Sequence, residues 1–258
     1  MTTYALVRII GNELPPRDSV GNRIKSLKFI LEHEPKFDAC TKIWIINQIH
    51  CPSLKDEILL LLKDHQIVNL DFNVCDFKKA ISFDEKVIIA ININKARNLA
   101  LDLAKDYRFT FVFDGDCFFT NDLWETTINQ IESDQLIHDR KYYGVPGIRI
   151  VNEIPIDLND YKKWEPSIIF RNDAELRFNE GIPFGKQDRL ELMKKIGYTS
   201  FNGNTILTGD LGKNEGGLLH ISFNEPKSEF DLNHRMKLRE TALKLFIDKI
   251  KPSSISFL

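Results

Sequence analysis

The chain has 258 residues, which suits one large α/β domain or two small ones. Its 43% apolar and 28% charged content is ordinary for a soluble globular protein, and a net charge of −2 gives no reason to expect a nucleic acid or an anionic membrane as partner. No run approaches the ~18 apolar residues that span a bilayer, and the start, Met1-Thr2-Thr3-Tyr4, lacks a basic leader segment, so a cytoplasmic location is expected.

Leu6-Val7-Arg8-Ile9-Ile10 reads as a first strand, broken by Gly11-Asn12-Glu13-Leu14-Pro15-Pro16. A helix is predicted over residues 21–34, with Ile24, Leu27 and Leu31 on one face and Pro35 as its stop. Ile43 to Ile46 is the next buried strand. Ser53-Leu54-Lys55-Asp56 reads as an acidic capping box, opening a helix that carries Ile58, Leu59, Leu61 and Leu62. From Ile67 to Val74 apolar and polar residues alternate, as in a strand with one solvated side. Val87 to Ile91 reads as a further short strand. A helix from about Asn94 to Asp106 follows, its stripe made by Ala96, Leu99, Ala100 and Leu103. It leads into the apolar strand Phe109–Phe113. This β-α-β-α-β-β-α-β order argues for a mainly parallel sheet flanked by helices.

The second half is less regular. A strand is predicted from Lys141 to Val151, interrupted by Pro146-Gly147, and residues 152–186 hold few periodic segments. Asp188 to Ile196 reads as a short helix closed by Gly197, Leu218 to Phe223 as a strand, and 231–250 as a long last helix. The expected organisation is one domain over 1–258, with a regular first half (1–120) and an irregular second half (121–258). Cys40, Cys51, Cys75 and Cys117 show no zinc spacing and read as free thiols of a reducing compartment.

The chemistry centres on Asp114-Gly115-Asp116. Two carboxylates at the C-terminal end of a buried strand sit where an open α/β sheet binds ligands. Folding has no use for two adjacent acids there, since each is costly to desolvate without a cation. One reading is a divalent-metal and nucleotide-sugar site; the other is a plain Asp-Gly surface turn.

The stretch Asn94-Lys95-Ala96-Arg97-Asn98, followed 17 residues after Arg97 by Asp114-Gly115-Asp116, resembles the GT-A glycosyltransferases, especially family 2. Arg177 to Leu192, with Gly185-Lys186-Gln187-Asp188 before a short helix, resembles the acceptor segment of that fold, although Gln187 stands where family members carry an acid. His220 resembles the late histidine that many such enzymes use as a metal ligand. The resemblance implies a GT-A, Rossmann-like α/β fold and a metal-dependent, inverting transfer from a UDP- or GDP-sugar to a glycan or other hydroxyl acceptor. It implies Mn²⁺ or Mg²⁺ on Asp116, with Asp114 and His220, and Asp188 as the general base. Arg8, Gly11, Asn12, Arg97, Asn98, Asp114 and Gly115 are the expected donor-binding residues, with 1–120 as the nucleotide-sugar half and 121–258 as the acceptor half. Arg8 lies in an apolar strand and needs either an acid of the core or a ligand phosphate.

Two competitors remain. Aspartate-nucleophile phosphatases also end an apolar strand with two acids, but usually near the N-terminus and with Thr where this chain has Phe118. A non-catalytic nucleotide- or sugar-binding module is kept open by Gln187.

Overall fold

The computed structural model describes residues 3–155, 163–186, 189–201, 204–207, 211–213, 216–223 and 232–250. The chain begins with β1 (Tyr4–Ile10), α1 (Asn22–His33), β2 (Cys40–Asn47), α2 (Pro52–Leu61) and β3 (Gln66–Leu70). Three helices follow in succession, α3 (Val74–Lys79), α4 (Phe83–Ile91) and α5 (Ile93–Leu103), then β4 (Phe109–Asp114), the two-residue β5 (Cys117–Phe118) and α6 (Asn121–Gln135). The remainder is β6 (Tyr142–Val151), β7 (Lys163–Arg171), α7 (Leu190–Lys195), β8 (Tyr198–Phe201), β9 (Asn204–Leu207), β10 (Leu211–Lys213), β11 (Leu218–Ser222) and α8 (Leu232–Ile250).

One sheet runs in the order β3-β2-β1-β4-β7-β6-β11-β5, with β10 beside β6. The first four strands are mutually parallel, and β6 is parallel to both β11 and β10; β7 and β5 run against their neighbours. The mainly parallel α/β sheet expected from the sequence is therefore present, and it takes strands from both halves of the chain. Helices cover both faces. On one face Ala5, Val7 and Ile9 of β1 pack with Ala96 and Ala100 of α5 and with Leu192 and Met193 of α7. On the other, Ile10, Trp44 and Ile46 pack under Ile24, Leu27 and Ile30 of α1, while Phe109, Phe111 and Phe113 of β4 pack under Trp124 and Ile131 of α6. Each fully buried ring there contributes about 1.5–3 kcal/mol.

Three local expectations need correction. Val87–Ile91 is the end of α4, not a strand: Ser82 and Glu85 form a full capping box that starts a helix ahead of it. Val74 likewise opens α3, whose cap is the Asn73 side chain accepting from the Asp76 amide. The capping box expected at Ser53 does not form; α2 starts on Pro52 with no side-chain cap. A strand absent from the sequence reading, β7, joins β4 to β6 through buried Ile168, Ile169 and Phe170. The break expected at Pro146-Gly147 is real, since the β6–β7 register shifts between Val145 and Gly147. No described helix is long and apolar enough to cross a membrane.

Candidate functional site

The strand after β1 lies on one side of it and β4 on the other, while α1 and α5 cover opposite faces of the sheet. The crevice between the carboxyl ends of β1 and β4 is thus the topological switch point, where such sheets bind ligands. Asp114 closes β4 in register with Ile9 of β1. Gly115 then passes so close to β1 that a Cβ there would lie 2.9 Å from both the Ile9 carbonyl oxygen and Ile10 Cγ1. The turn is held from beneath. Fully buried Arg8 donates from Nε to the Cys117 carbonyl at 2.7 Å and pairs through Nη2 with Glu34, itself bound by Lys42 and by the Phe119 amide. The partner of Arg8 is therefore a core acid, and its guanidinium lies beneath the acidic turn.

Asp114 faces α5. Arg97 Nη2 lies 3.4 Å from its Oδ1, and Arg97 Nη1 donates to Asn94 Oδ1 at 3.0 Å. Burial alone would raise the Asp114 carboxyl, but Arg97 and Arg189 hold it below the usual carboxylate range. The Arg97 guanidinium also stacks 5.3 Å from the Phe178 ring centre. Asn98, expected at the donor, is engaged elsewhere: its Nδ2 donates to the Phe178 carbonyl at 3.0 Å and to Glu180 at 2.8 Å, and its Oδ1 accepts from the Phe178 amide at 2.9 Å. With Asn94 donating from Nδ2 to the Asn179 carbonyl at 2.7 Å, one polar stripe of α5 fastens residues 178–180 beside the site.

Asp116 faces the other way. β5 pairs with β11, setting His220 opposite Cys117, and the Ile221 amide donates to the Asp116 carbonyl at 2.9 Å. As a result His220 Nε2 lies 2.8 Å from Asp116 Oδ2, with Arg23 Nη1 at 3.7 Å from the same oxygen. Burial again pushes the Asp116 carboxyl up, but His220 and Arg23 overcome it and hold the acid well below its ordinary range. Among the described residues, Asp116, Cys117 and His220 form a cluster of possible ligand atoms within 4.8 Å of one another. A carboxylate oxygen and an imidazole nitrogen suit Mn²⁺. The Cys117 thiol, raised well above its usual value by burial and the two acids, is a soft ligand that suits Mn²⁺ less well than these two. Asp114, also expected on the metal, lies outside this cluster, its carboxylate turned to Arg97.

After β1, Gly11 has open space around it, whereas Asn12 is buried and bridges to the loop after β2, donating to Gln48 O at 2.7 Å and accepting from His50 N at 2.8 Å. Asn12 therefore shapes the rim of the crevice. Asp188 lies outside the described residues; its neighbour Arg189 acts electrostatically on Asp114. Sequence reasoning missed Arg23, Arg149 and Arg239, which line a cavity of about 190 Å³ with Asp116 and His220. No local motif marks them, since they come from α1, β6 and α8 and meet only in the fold.

The fold so described is that of the GT-A glycosyltransferases. Among solved structures the chain is similar to GalNAc-T7 with UDP, GalNAc and Mn²⁺, at 11% identity and a TM-score of 0.51, over 96% of this chain and 56% of that one. It also aligns with S. aureus TarS 1–349 in complex with UDP, at 13% identity and a TM-score of 0.48, over 93% of this chain and 65% of that one. The complex of the same protein with UDP-GlcNAc gives 12% identity, a TM-score of 0.48, and 93% and 66% coverage. The chain thus spans less than two thirds of each of these structures, and at such identities the likeness is one of fold. No protein-family model matches the sequence, and no curated relative does.

Proposed function

We propose that this chain is a glycosyltransferase, moving a sugar from a nucleotide-sugar donor to a hydroxyl of a glycan or related acceptor. The observation that carries the reading is the 2.8 Å approach of His220 to Asp116 at the carboxyl end of β4 in a GT-A fold. Asp116 and His220 would hold Mn²⁺ or Mg²⁺. Such a cation, when bound, supplies Lewis-acid neutralisation of a departing nucleoside diphosphate. Asp114 faces the donor, its carboxylate kept ionised and oriented by Arg97. Asp188 is the general base that takes the proton of the attacking hydroxyl, so transfer proceeds with inversion. UDP-sugars come first as candidate donors because GalNAc-T7, which shares the fold, is seen with UDP.

The test is release of nucleoside diphosphate from a panel of UDP- and GDP-sugars, with Mn²⁺ and with EDTA. A transferase releases it from one donor class with Mn²⁺, and Asp188→Asn slows release at least 10²-fold while leaving donor affinity unchanged. Binding of a nucleotide sugar with no release in the presence of any hydroxyl acceptor would instead identify a binding module.

A further inference from the structure

The cavity beside Asp116 carries an excess of positive charge within a chain whose net charge is −2. The cavity's described lining holds four arginines, Arg17, Arg23, Arg149 and Arg239, and two acids, Asp18 and Asp116, with Asp114 and Glu13 also acting on Arg23 from outside the lining. Arg23 draws on both acids, each at 3.7 Å, and its buried Nε has no hydrogen-bond partner. Burial disfavours the Arg149 cation and Arg17 disfavours it further, with Asp116 only partly compensating.

Residues 184 and 185 hold two of the arginines in place. The Phe184 ring lies between two of them, 5.3 Å from the Arg17 guanidinium carbon and 5.8 Å from that of Arg239. Arg239 also donates from Nη1 to the Gly185 carbonyl at 3.1 Å. Gly185 has φ +87, and a Cβ on it would fall 2.4 Å from Arg239 Cδ. The end of α1 does not supply the attraction for an anion, because Glu13 already accepts the Gly21 and Arg23 amides at 3.0 and 2.9 Å. Planar guanidiniums converging on a small space suit phosphate oxygens, which they bind in bidentate fashion. The volume, about 190 Å³, is below the ~300 Å³ at which pockets take whole drug-sized ligands. It fits one charged group of a larger molecule.

We propose that Arg17, Arg23, Arg149 and Arg239 form a phosphate-binding pocket that works without a metal, next to the site proposed on Asp116 and His220. The phosphate belongs either to the donor diphosphate or to a phosphate-bearing acceptor. The inference rests on the proposed site only through two shared wall residues, Asp116 and His220.

Calorimetric titration in EDTA tests it with three probes: inorganic pyrophosphate, UDP and glycerol 3-phosphate. Wild-type protein is expected to bind pyrophosphate, and Arg149→Gln combined with Arg239→Gln to bind it at least tenfold more weakly. Arg17→Gln, at a side chain 31% exposed, is a second variant that leaves the core intact and is expected to weaken binding as well. If glycerol 3-phosphate still binds at saturating UDP, the pocket serves the acceptor; if UDP displaces it, the pocket serves the donor diphosphate. Absence of pyrophosphate and glycerol 3-phosphate binding in EDTA, or equal affinity in wild type and all variants, overturns the proposal. Pyrophosphate binding in a protein whose UDP affinity ignores Mn²⁺ would keep the pocket and remove the metal site. The reverse result would keep the metal site and remove the pocket.

Discussion

Nε of Arg8 donates a 2.7 Å hydrogen bond to the carbonyl of Cys117, so a buried cation in β1 holds the backbone just after Asp116. The same guanidinium pairs with Glu34, and both side chains are almost wholly buried. Removing Glu34 strands the Arg8 charge, which costs about 3–5 kcal/mol, whereas Glu34 without Arg8 keeps Lys42 and the Phe119 amide. Glu34→Leu should therefore lower the unfolding free energy measured in urea by about that much. A double change, Arg8→Met with Glu34→Leu, should recover a large part of the loss. A Glu34→Leu unfolding free energy within error of wild type would contradict the role assigned to the pair.

Gly115 is set by space and not by backbone angle, since its Cβ would meet the Ile9 carbonyl at 2.9 Å. Gly115→Ala should push the acidic turn off β1 at a cost of about 1–3 kcal/mol. Because the turn carries Asp114 and Asp116, Mn²⁺-dependent UDP affinity should fall at least tenfold while the protein remains folded at 25 °C. Unchanged affinity would mean that the turn position does not matter to the donor.

Asn98 bonds to Phe178 in both directions, at 3.0 and 2.9 Å. Asn98→Ala leaves that amide and carbonyl without their partner, a penalty of about 1–3 kcal/mol if both stay buried. Hydrogen exchange should accelerate at residues 178–180 and stay unchanged in β1 and β2. Equal acceleration everywhere would indicate global destabilisation and not a local tether.

Two titrations follow from burial. Burial, assisted by a bond to Asp134, raises the Tyr143 phenol to about 12. The unfolded phenol ionises near 10, so the unfolded state loses its proton first and stability falls as pH rises from about 10 through 12. Tyr143→Phe should flatten that slope; an identical alkaline slope in the variant would contradict the assignment. Among the thiols, exposed Cys51 is lowered by its bond to Ser53, whereas burial raises Cys40 to about 12 and Cys117 higher than its usual range. A disulfide reagent at pH 7 should modify Cys51 first, with Cys40 and Cys117 reacting only after denaturation.

The parts of this molecule legible in the sequence are those whose signal is local. β1, β2, β4 and α5 follow from apolar runs and helical spacing, and the acidic turn follows from its place after β4. Val87–Ile91 was ambiguous because a five-residue apolar run fits a strand or a buried helix turn, and the deciding Ser82–Glu85 box lay just upstream. β7 hid in a stretch rich in turn residues, with only Ile168-Ile169-Phe170 to mark it. The partner of Arg8 was undecidable locally, since Glu34 reaches it from the far end of α1. The same holds for the arginine pocket, whose members lie on separate elements and whose sum of charge appears only when they meet.

The central claim is that Asp116 and His220 hold a divalent cation for a nucleotide donor. Mn²⁺ electron paramagnetic resonance, with UDP present, reads this directly. Wild-type protein should deplete the free Mn²⁺ signal at one ion per chain, and Asp116→Asn and His220→Gln should each weaken that depletion at least tenfold. Equal depletion in wild type and both variants, or none in wild type, would contradict the claim.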